Sequence, residues 1–228
     1  MPKVNTKPIR LLLVEDHLSF REGLRMVIED RPHLEGVGEA ATRAEAIKIA
    51  ARQQPDIILL DLEMADESGL QLIPELRSAA KEAAVLLLSD MDNPETYETA
   101  LRLGAVGLVP KKKPTEVLFK AIETVSSGEV WLDRSMMAKV LSRVRLEGEG
   151  KGMTADSAKV AALTVREREV ITLLGEGLKN KQIAERLHIS EATVRHHFTS
   201  IFYKLGLSDR FGLIIYAYEH GLALRPSD

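Results

Sequence analysis

The first half of the chain alternates short apolar runs with longer amphipathic segments. Five apolar runs predict strands over Ile9–Val14, Leu34–Gly38, Ile57–Leu60, Val85–Leu88 and Val106–Val109. The segments between them have helical spacing and predict helices over Leu18–Asp30, Arg43–Gln53, Gly69–Ala80, Pro94–Leu103 and Thr115–Ser126. Because strands buried on both faces carry continuous apolar runs, this alternation predicts an α/β domain with an open, doubly wound parallel sheet of five strands.

Capping residues support several of these helix starts. Thr42 precedes the second helix with Glu45 three residues later, which is the spacing of a capping box. Asn93 precedes the fourth helix, and Pro94 stands at its first position. These residues predict where the chain enters each helix.

The pattern changes after residue 127. Between residues 128 and 162 we predict a linker that is partly helical, with one helix over Arg134–Leu146 followed by a flexible glycine- and charge-rich stretch at 147–152. Four helical patterns and no strand pattern follow, near Arg166–Glu176, Asn180–Leu187, Glu191–Leu205 and Ser208–His220. The sequence thus predicts an α/β domain over residues 1–127 and an all-α domain of four helices over 163–228.

Composition narrows the class of protein. A chain of 228 residues with no cysteine forms no disulfide and no thiolate metal site. Neither a signal peptide nor an apolar stretch of about 20 residues is found, so we expect a cytoplasmic protein without a membrane partner. The net charge of -3 comes from the first domain, and the last domain is near neutral. Any contact with nucleic acid must therefore depend on where the cations lie.

Polar residues follow the predicted strands at their carboxyl ends. Glu15 and Asp16 follow the first strand, Asp61 the third, Ser89 the fourth and Lys111 the fifth. Because carboxyl ends of parallel strands meet at one edge of a sheet, these side chains are expected to converge there. Clustered carboxylates favour a hard divalent cation such as Mg²⁺, and a lysine there suits a phosphoryl oxygen.

These motifs resemble the receiver domain of two-component response regulators over residues 8–127. The resemblance is carried by Glu15-Asp16, Asp61-Leu62-Glu63-Met64 with Gly69, Ser89, Gly104-Ala105 and Gly107-Leu108-Val109-Pro110-Lys111. It implies a flavodoxin-like fold in which a sensor histidine kinase phosphorylates Asp61. It also implies that Glu15, Asp16, Asp61 and the carbonyl of Glu63 arrange Mg²⁺, and that Ser89 and Lys111 bind phosphoryl oxygens. Lys112 and Lys113 are interpreted as solvated charges.

The chain departs from the receiver pattern at two positions. Leu108 stands where the family usually has an aromatic switch residue that swings inward on phosphorylation, and Ala65 replaces a common proline. The first departure leaves open a switch that does not use ring rotation. Glu63 and Met91 lie two residues after Asp61 and Ser89, so we expect them to set the lifetime of the phosphoryl group.

The last domain has the pattern of a helix-turn-helix. Thr164 and Glu167 form a predicted capping box, and Ser190 is the predicted cap of a helix that begins Glu191-Ala192-Thr193. The stretch Leu163–Leu222 resembles LuxR-type DNA-binding domains, and the domain order is similar to that of the NarL/FixJ class. The resemblance implies contacts with double-stranded DNA by Lys181, Thr193, Arg195, His197 and Lys204.

Other residues of this domain have simpler interpretations. His197 is preferred over His196 for DNA contact, and Arg166 and Arg168 are expected to make salt bridges. Aromatic packing is expected of Tyr203, Tyr216 and Tyr218. In the final helix, Leu213, Ile214 and Ala217 fit either the family's homodimer surface or core packing.

The sequence therefore predicts a phosphorylation-controlled, DNA-binding transcriptional regulator that dimerises when phosphorylated. We expect no enzyme activity beyond slow autodephosphorylation. One alternative is an atypical regulator switched by dimerisation or a small ligand, which only Leu108 supports. Another is a phosphatase of the haloacid dehalogenase type, which needs a second aspartate where Glu63 stands.

Overall fold

The chain divides into two compact units, Met1–Ser126 and Ser127–Asp228. The structure, a computed structural model, describes residues 7–64, 69–90, 93–131, 156–207 and 210–223. Each unit has its own buried core, and the two are described separately below.

The first unit is a parallel sheet flanked by helices. Its strands are β1 (Ile9–Val14), β2 (Leu34–Ala40), β3 (Ile57–Asp61), β4 (Ala84–Ser89) and β5 (Ala105–Pro110). Its helices are α1 (Leu18–Glu29), α2 (Arg43–Gln53), α3 (Gly69–Ala79), α4 (Pro94–Arg102) and α5 (Thr115–Ser126). The strand order is β2-β1-β3-β4-β5 and all pairs are parallel, which confirms the doubly wound, flavodoxin-like sheet.

The central strands form the core of this unit. Every residue of β3 is buried, because the strand lies between β1 and β4 and is covered on both faces. Strands β3, β4 and β5 each continue beyond the predicted apolar run, through Asp61, Ser89 and Pro110. In the ladder Asp61 pairs with Leu88, and Ser89 pairs with Pro110. Strand pairing thus fixes the backbone of the residues predicted to carry the chemistry.

The predicted caps of α2 and α4 are confirmed. The side chain of Thr42 accepts from the backbone N–H of Glu45, and that of Asn93 accepts from the N–H of Glu95 at 2.9 Å. Each cap satisfies a backbone donor that the first helical turn leaves without a partner. The chain therefore enters both helices where the sequence predicted.

The second unit is helical in the part that the structure describes. Its helices are α6 (Asp156–Ala161), α7 (Val165–Gly175), α8 (Asn180–Leu187), α9 (Glu191–Leu205) and α10 (Arg210–Glu219). Helices α7 to α10 confirm the four predicted patterns, whereas α6 was not predicted. The helix predicted at Arg134–Leu146 and the glycine-rich stretch lie outside the described residues. Across the described ranges, every helix is too short or too polar to cross a bilayer.

Candidate functional site

The carboxyl ends of the strands bring the predicted site residues together in the first unit. Glu15 directly follows β1, Asp61 ends β3, and Lys111 directly follows β5. The backbone N–H of Lys111 donates to the Ser89 carbonyl at 2.9 Å, which places the start of the following turn beside the end of β4. Sheet topology alone therefore gathers residues that are up to 96 positions apart, from Glu15 to Lys111.

Lys111 joins the two buried carboxylates. Its ammonium lies 2.9 Å from Asp61 Oδ1 and 2.9 Å from Glu15 Oε2. The carboxylates are 0% and 1% exposed, and the lysine side chain is 11% exposed. Burial disfavours the charged lysine, but the hydrogen bonds to Asp61 and Glu15 outweigh this and raise the pKa of Lys111. The ammonium is therefore held as a cation beside the predicted phosphoacceptor.

The same cluster carries more negative than positive charge. Burial, reinforced by the neighbouring Asp61 charge, raises the pKa of Glu15. Two formally anionic side chains face one lysine, and Asp16 adds a third carboxylate next to Glu15. An additional cation would relieve this excess.

The residues fit a bound Mg²⁺. Ligand atoms of Glu15, Asp16 and His17 lie within 4.8 Å of one another, and within the described part of the chain nothing donates a hydrogen bond to the buried Asp61 Oδ2. Carboxylate oxygens are the ligands that Mg²⁺ prefers. The exposed His17 was not predicted for this cluster, and its imidazole Nδ1 lies 3.7 Å from Asp16 Oδ1. The carbonyl of Glu63 as a metal ligand remains a prediction.

Glu63 makes contacts that the sequence did not reveal. Its backbone N–H donates to Asp61 Oδ1 at 3.0 Å, while its carboxylate accepts from the Ser89 hydroxyl at 2.5 Å. The backbone N–H of Asp90 donates to the same carboxylate at 3.1 Å. Ser89 is fully buried, and its hydroxyl donates to Glu63 at the end of β4. The only sequence signal that pointed to Glu63 was its position two residues after Asp61.

The remaining positions of this site have clear environments. Leu108 is buried in β5 opposite Leu87. The ring of Phe20 in α1 lies 4.9 Å from the Lys111 ammonium, a contact that was not predicted. Lys112 and Lys113 are exposed, as expected of solvated charges. Met91 and Ala65 lie outside the described residues.

Gly69 is required by a close approach of the backbone. A Cβ atom at this position would lie 2.4 Å from the Asp61 carbonyl oxygen, and the Gly69 N–H donates to the Leu62 carbonyl at 3.2 Å. Only glycine lets α3 begin so near the end of β3. This gives the glycine of the receiver motif a physical reason.

The second unit contains the predicted helix-turn-helix, formed by α8 and α9. His188 ends α8 in the left-handed conformation with φ 54°, and Ser190 caps α9 by accepting from the Thr193 N–H at 3.0 Å. The Thr164–Glu167 capping box at the start of α7 is also confirmed. Helix α9 thus begins at Glu191, where the sequence predicted the second helix of the helix-turn-helix.

The surface of α9 carries one row of exposed residues. Its members recur at the helical spacing i, i+3, i+4, i+7 and i+11, and are Ala192, Arg195, His196, Thr199 and Tyr203. Lys181 on α8 is also exposed, whereas Thr193 and His197 are half-buried. His196, and not the preferred His197, therefore lies on the same face as Arg195. The packing role predicted for Tyr203 is wrong, since its side chain is 89% exposed, whereas Tyr216 and Tyr218 are buried as expected.

Lys204 lies away from that exposed row. Its ammonium contacts Glu167 Oε2 at 2.7 Å, and the Ser200 hydroxyl donates to Glu167 Oε1 at 2.7 Å. These contacts join α9 to the start of α7, so the described role of Lys204 is structural and its DNA contact stays a prediction. Arg166 makes the predicted salt bridge, with Glu169, whereas Arg168 donates to the Val160 carbonyl.

A buried polar network connects α8 and α10. Arg210 is buried, donates to Asn180 Oδ1 at 2.6 Å, and lies over the Phe198 ring at 4.6 Å. Burial lowers the pKa of Arg210 to about 10, which the neighbouring Glu129 charge opposes. This network was not predicted.

The apolar residues of α10 belong to the core. Leu213 and Ala217 are fully buried and Ile214 is nearly so, all within the cluster formed by α7 to α10. Of the two interpretations of these residues, the structure supports core packing. They are therefore not an exposed dimer surface.

Comparisons with known proteins agree with this architecture. The family described as "Response regulator receiver domain" matches residues 11–123, and "Bacterial regulatory proteins, luxR family" matches residues 161–217. The chain is 34% identical to the transcriptional regulatory protein LiaR of Bacillus subtilis over 94% of this chain and 99% of LiaR. It is 32% identical to the nitrate/nitrite response regulator NarL of Escherichia coli K12, over 94% of this chain and 97% of NarL.

A solved structure shows the same relationship. The crystal structure of a LuxR-family two-component response regulator from Aurantimonas sp. SI85-9A1 is 28% identical, with a TM-score of 0.55, and the match covers 61% of this chain and 99% of that one. The same family is indicated by both family matches, by the relatives matched over nearly their whole length, and by the parallel sheet and helix-turn-helix of the structure. The chain belongs to the NarL/FixJ class of two-component response regulators, with a receiver domain followed by a LuxR-type DNA-binding domain.

Proposed function

We propose that this protein is a DNA-binding transcriptional regulator controlled by phosphorylation of Asp61 by a sensor histidine kinase. The observation that carries the proposal is the arrangement around Asp61, a fully buried carboxylate with Oδ1 on the Lys111 ammonium and with Oδ2 accepting no hydrogen bond from any residue that the structure describes. A buried carboxylate oxygen beside a fixed cation is suited to attack a phosphorus atom, because the cation offsets the charge of the incoming group.

The transfer step requires little covalent help. One Asp61 oxygen attacks the phosphorus of the kinase phosphohistidine, the P–N bond breaks, and its electron pair stays on the histidine nitrogen. Lys111 contacts an oxygen of the new acyl phosphate, and Glu15 and Asp16 orient the site. Mg²⁺, held by Glu15, Asp16 and Asp61, would neutralise phosphoryl charge. We infer that the chain is not an enzyme and at most slowly hydrolyses its own acyl phosphate.

The output of the switch is DNA binding. We infer that Lys181 contacts a phosphate and that Arg195, on the exposed row of α9, reads base edges in the major groove, where a guanidinium can bind guanine in a bidentate manner. Thr193 and His197 would contribute from the edge of that row. Phosphorylation would promote a homodimer that binds two half-sites. The relative LiaR is named as a transcriptional regulatory protein, which supports this role.

Both alternatives meet structural objections. A phosphatase of the haloacid dehalogenase type needs a second aspartate two residues after the nucleophile, but Glu63 stands there and its carboxylate accepts from Ser89 and Asp90. A regulator that works without phosphorylation leaves the Asp61–Lys111 arrangement without a purpose. Phosphorylation of Asp61 therefore explains the contacts of Asp61, Lys111 and Glu63 better than either alternative does.

The proposal is tested with the full chain and DNA sites selected from a random pool. Incubation with Mg²⁺ and phosphoramidate should add one phosphoryl group, detected by intact mass, and increase affinity for the selected DNA. Asp61→Asn should abolish both effects. The control Asp30→Asn, an exposed position at the end of α1, should retain both. Wild-type protein that takes up no phosphoryl group, or equal DNA affinity before and after phosphorylation, would refute the proposal.

A further inference from the structure

Glu63 lies between the phosphoacceptor and the hydroxyl expected to bind the phosphoryl group. Its backbone N–H donates to Asp61 Oδ1 at 3.0 Å, and its carboxylate accepts from the Ser89 hydroxyl at 2.5 Å. The Asp90 N–H donates at 3.1 Å to each oxygen of that carboxylate. One side chain thus accepts both donors at the end of β4.

A phosphoryl group on Asp61 would accept from the same kind of donors. It has three strong acceptor oxygens, and it would be formed on the strand directly beside β4. In the ladder Asp61 pairs with Leu88, so Ser89 stands one residue beyond its partner. Because a hydroxyl has one proton to donate, the Glu63 carboxylate and the phosphoryl group compete for Ser89.

We propose that Glu63 is an internal anion that holds Ser89 and Asp90 in the unphosphorylated state, and that phosphorylation acts by displacing its carboxylate. This inference rests on the proposed function and deepens it. The phosphoryl group carries a charge of roughly -1.5 to -2, so it repels the carboxylate and is the stronger acceptor. Glu63 is a positioning residue for Ser89, and its contacts must break before Ser89 turns toward Asp61.

Removing the carboxylate should make the phosphorylated form easier to reach. A hydrogen bond to a charged acceptor changes an equilibrium by roughly tenfold. We therefore expect Glu63→Ala to lower the beryllofluoride concentration for half-saturation by about tenfold, with Mg²⁺ held constant. Glu63→Gln keeps a neutral acceptor and should give an intermediate value.

The titration is followed by amide NMR of the full chain. Wild-type Asp90 should change its resonance when beryllofluoride binds, and in Glu63→Ala the unliganded resonance should already lie near the bound position. The matched control is Glu82→Ala, which removes the same charge from an exposed turn at the opposite end of β4. Its half-saturation should equal that of wild type.

The Ser89→Ala chain distinguishes two ways in which Glu63 could weaken beryllofluoride binding. Glu63 could hold the Ser89 hydroxyl, or its charge could simply repel the bound anion. If Glu63 acts by holding Ser89, Glu63→Ala should lose most of its gain in a Ser89→Ala chain. The inference is overturned if Glu63→Ala lowers the half-saturating beryllofluoride concentration as much in the Ser89→Ala chain as in wild type. It is also overturned if both Glu63 variants have the half-saturating concentration of wild type. Glu63→Gln gives the answer if Glu63→Ala fails to fold. Wild-type protein that binds no beryllofluoride would instead count against the proposed function.

Discussion

The Glu167 carboxylate offers a sharp test of how the DNA-binding domain is held together. It accepts from the Thr164 N–H at 2.7 Å, from Ser200 at 2.7 Å and from Lys204 at 2.7 Å, and its side chain is 4% exposed. The substitution Glu167→Gln keeps the size and the capping geometry, since glutamine also serves in a capping box. It removes the charge that pairs with Lys204 and replaces one acceptor oxygen by an NH₂ donor.

The pKa of this group sets the expected magnitude. Burial alone raises the pKa of Glu167, but hydrogen bonds from Lys204 and Ser200 outweigh it and lower the pKa from 4.5 to about 2. Because the folded pKa lies below the unfolded one, the carboxylate stabilises the fold above pH 4.5, and this stability is lost as the pH falls from about 4.5 toward 2. The shift corresponds to about 3 kcal/mol at neutral pH, of which about 1 kcal/mol is lost by pH 3.5.

Urea unfolding of the full chain measures this loss. Trp131 is the single tryptophan of the sequence and belongs to the second unit, so its fluorescence reports on that unit. Glu167→Gln should lower the free energy of unfolding by about 2–3 kcal/mol at pH 7, and its difference from wild type should shrink by pH 3.5 because wild-type Glu167 loses its stabilising effect.

The matched control lies on the same helix. Glu169 pairs with Arg166 but is 46% exposed, so Glu169→Gln should cost less than about 1 kcal/mol at either pH. A Glu167→Gln effect no larger than that of the control, or one that stays constant between pH 7 and pH 3.5, would show that the carboxylate is not the stabilising group.

Four further substitutions test separate parts of the molecule. Gly69→Ala should destabilise the receiver domain by about 2 kcal/mol in thermal unfolding, and a neutral result would contradict the close backbone approach. Arg210→Ala should cost about 2–3 kcal/mol, because it leaves a buried acceptor without its donor; unchanged stability would refute that role. Arg195→Ala should weaken DNA binding. If Arg195 contacts a phosphate, the slope of log affinity against log salt concentration should also fall by about one. A DNA affinity equal to that of wild type would show that Arg195 does not contact DNA. Lys204→Met should lower stability and leave that slope unchanged, whereas a reduced slope would restore its predicted DNA contact.

Most of the fold could be predicted because its signals are local. The run Ile57–Leu60 is apolar throughout, as a strand covered on both faces requires, and all four residues are buried. The caps at Thr42, Thr164 and Ser190 were readable because side chain and backbone partners are only three residues apart. The short helix α6 was missed, since six residues beside a glycine-rich stretch give too little periodicity to stand out.

The sequence predicted which residues meet at the candidate site, but it did not predict which of them contact one another. Strand order places Asp61 and Lys111 at one edge, but which carboxylate the ammonium joins depends on side-chain distances that no local pattern encodes. The same holds for Lys204, whose partner is 37 residues away. On α9, Tyr203 follows two apolar residues and resembles a core position, although helical geometry turns it outward.

The departure at Leu108 and the contacts of Glu63 fit one account of the switch. A buried leucine has no ring whose rotation could change the surface, so the proposed phosphorylation of Asp61 would have to act through another element. Glu63 contacts Asp61 through its backbone and contacts Ser89 and Asp90 through its side chain, which links Asp61 to the chain segment that leads into α4. In the proposed switch, the Glu63 carboxylate loses the Ser89 hydroxyl when Asp61 is phosphorylated, so the change reaches the end of β4 without the rotation of a ring in β5.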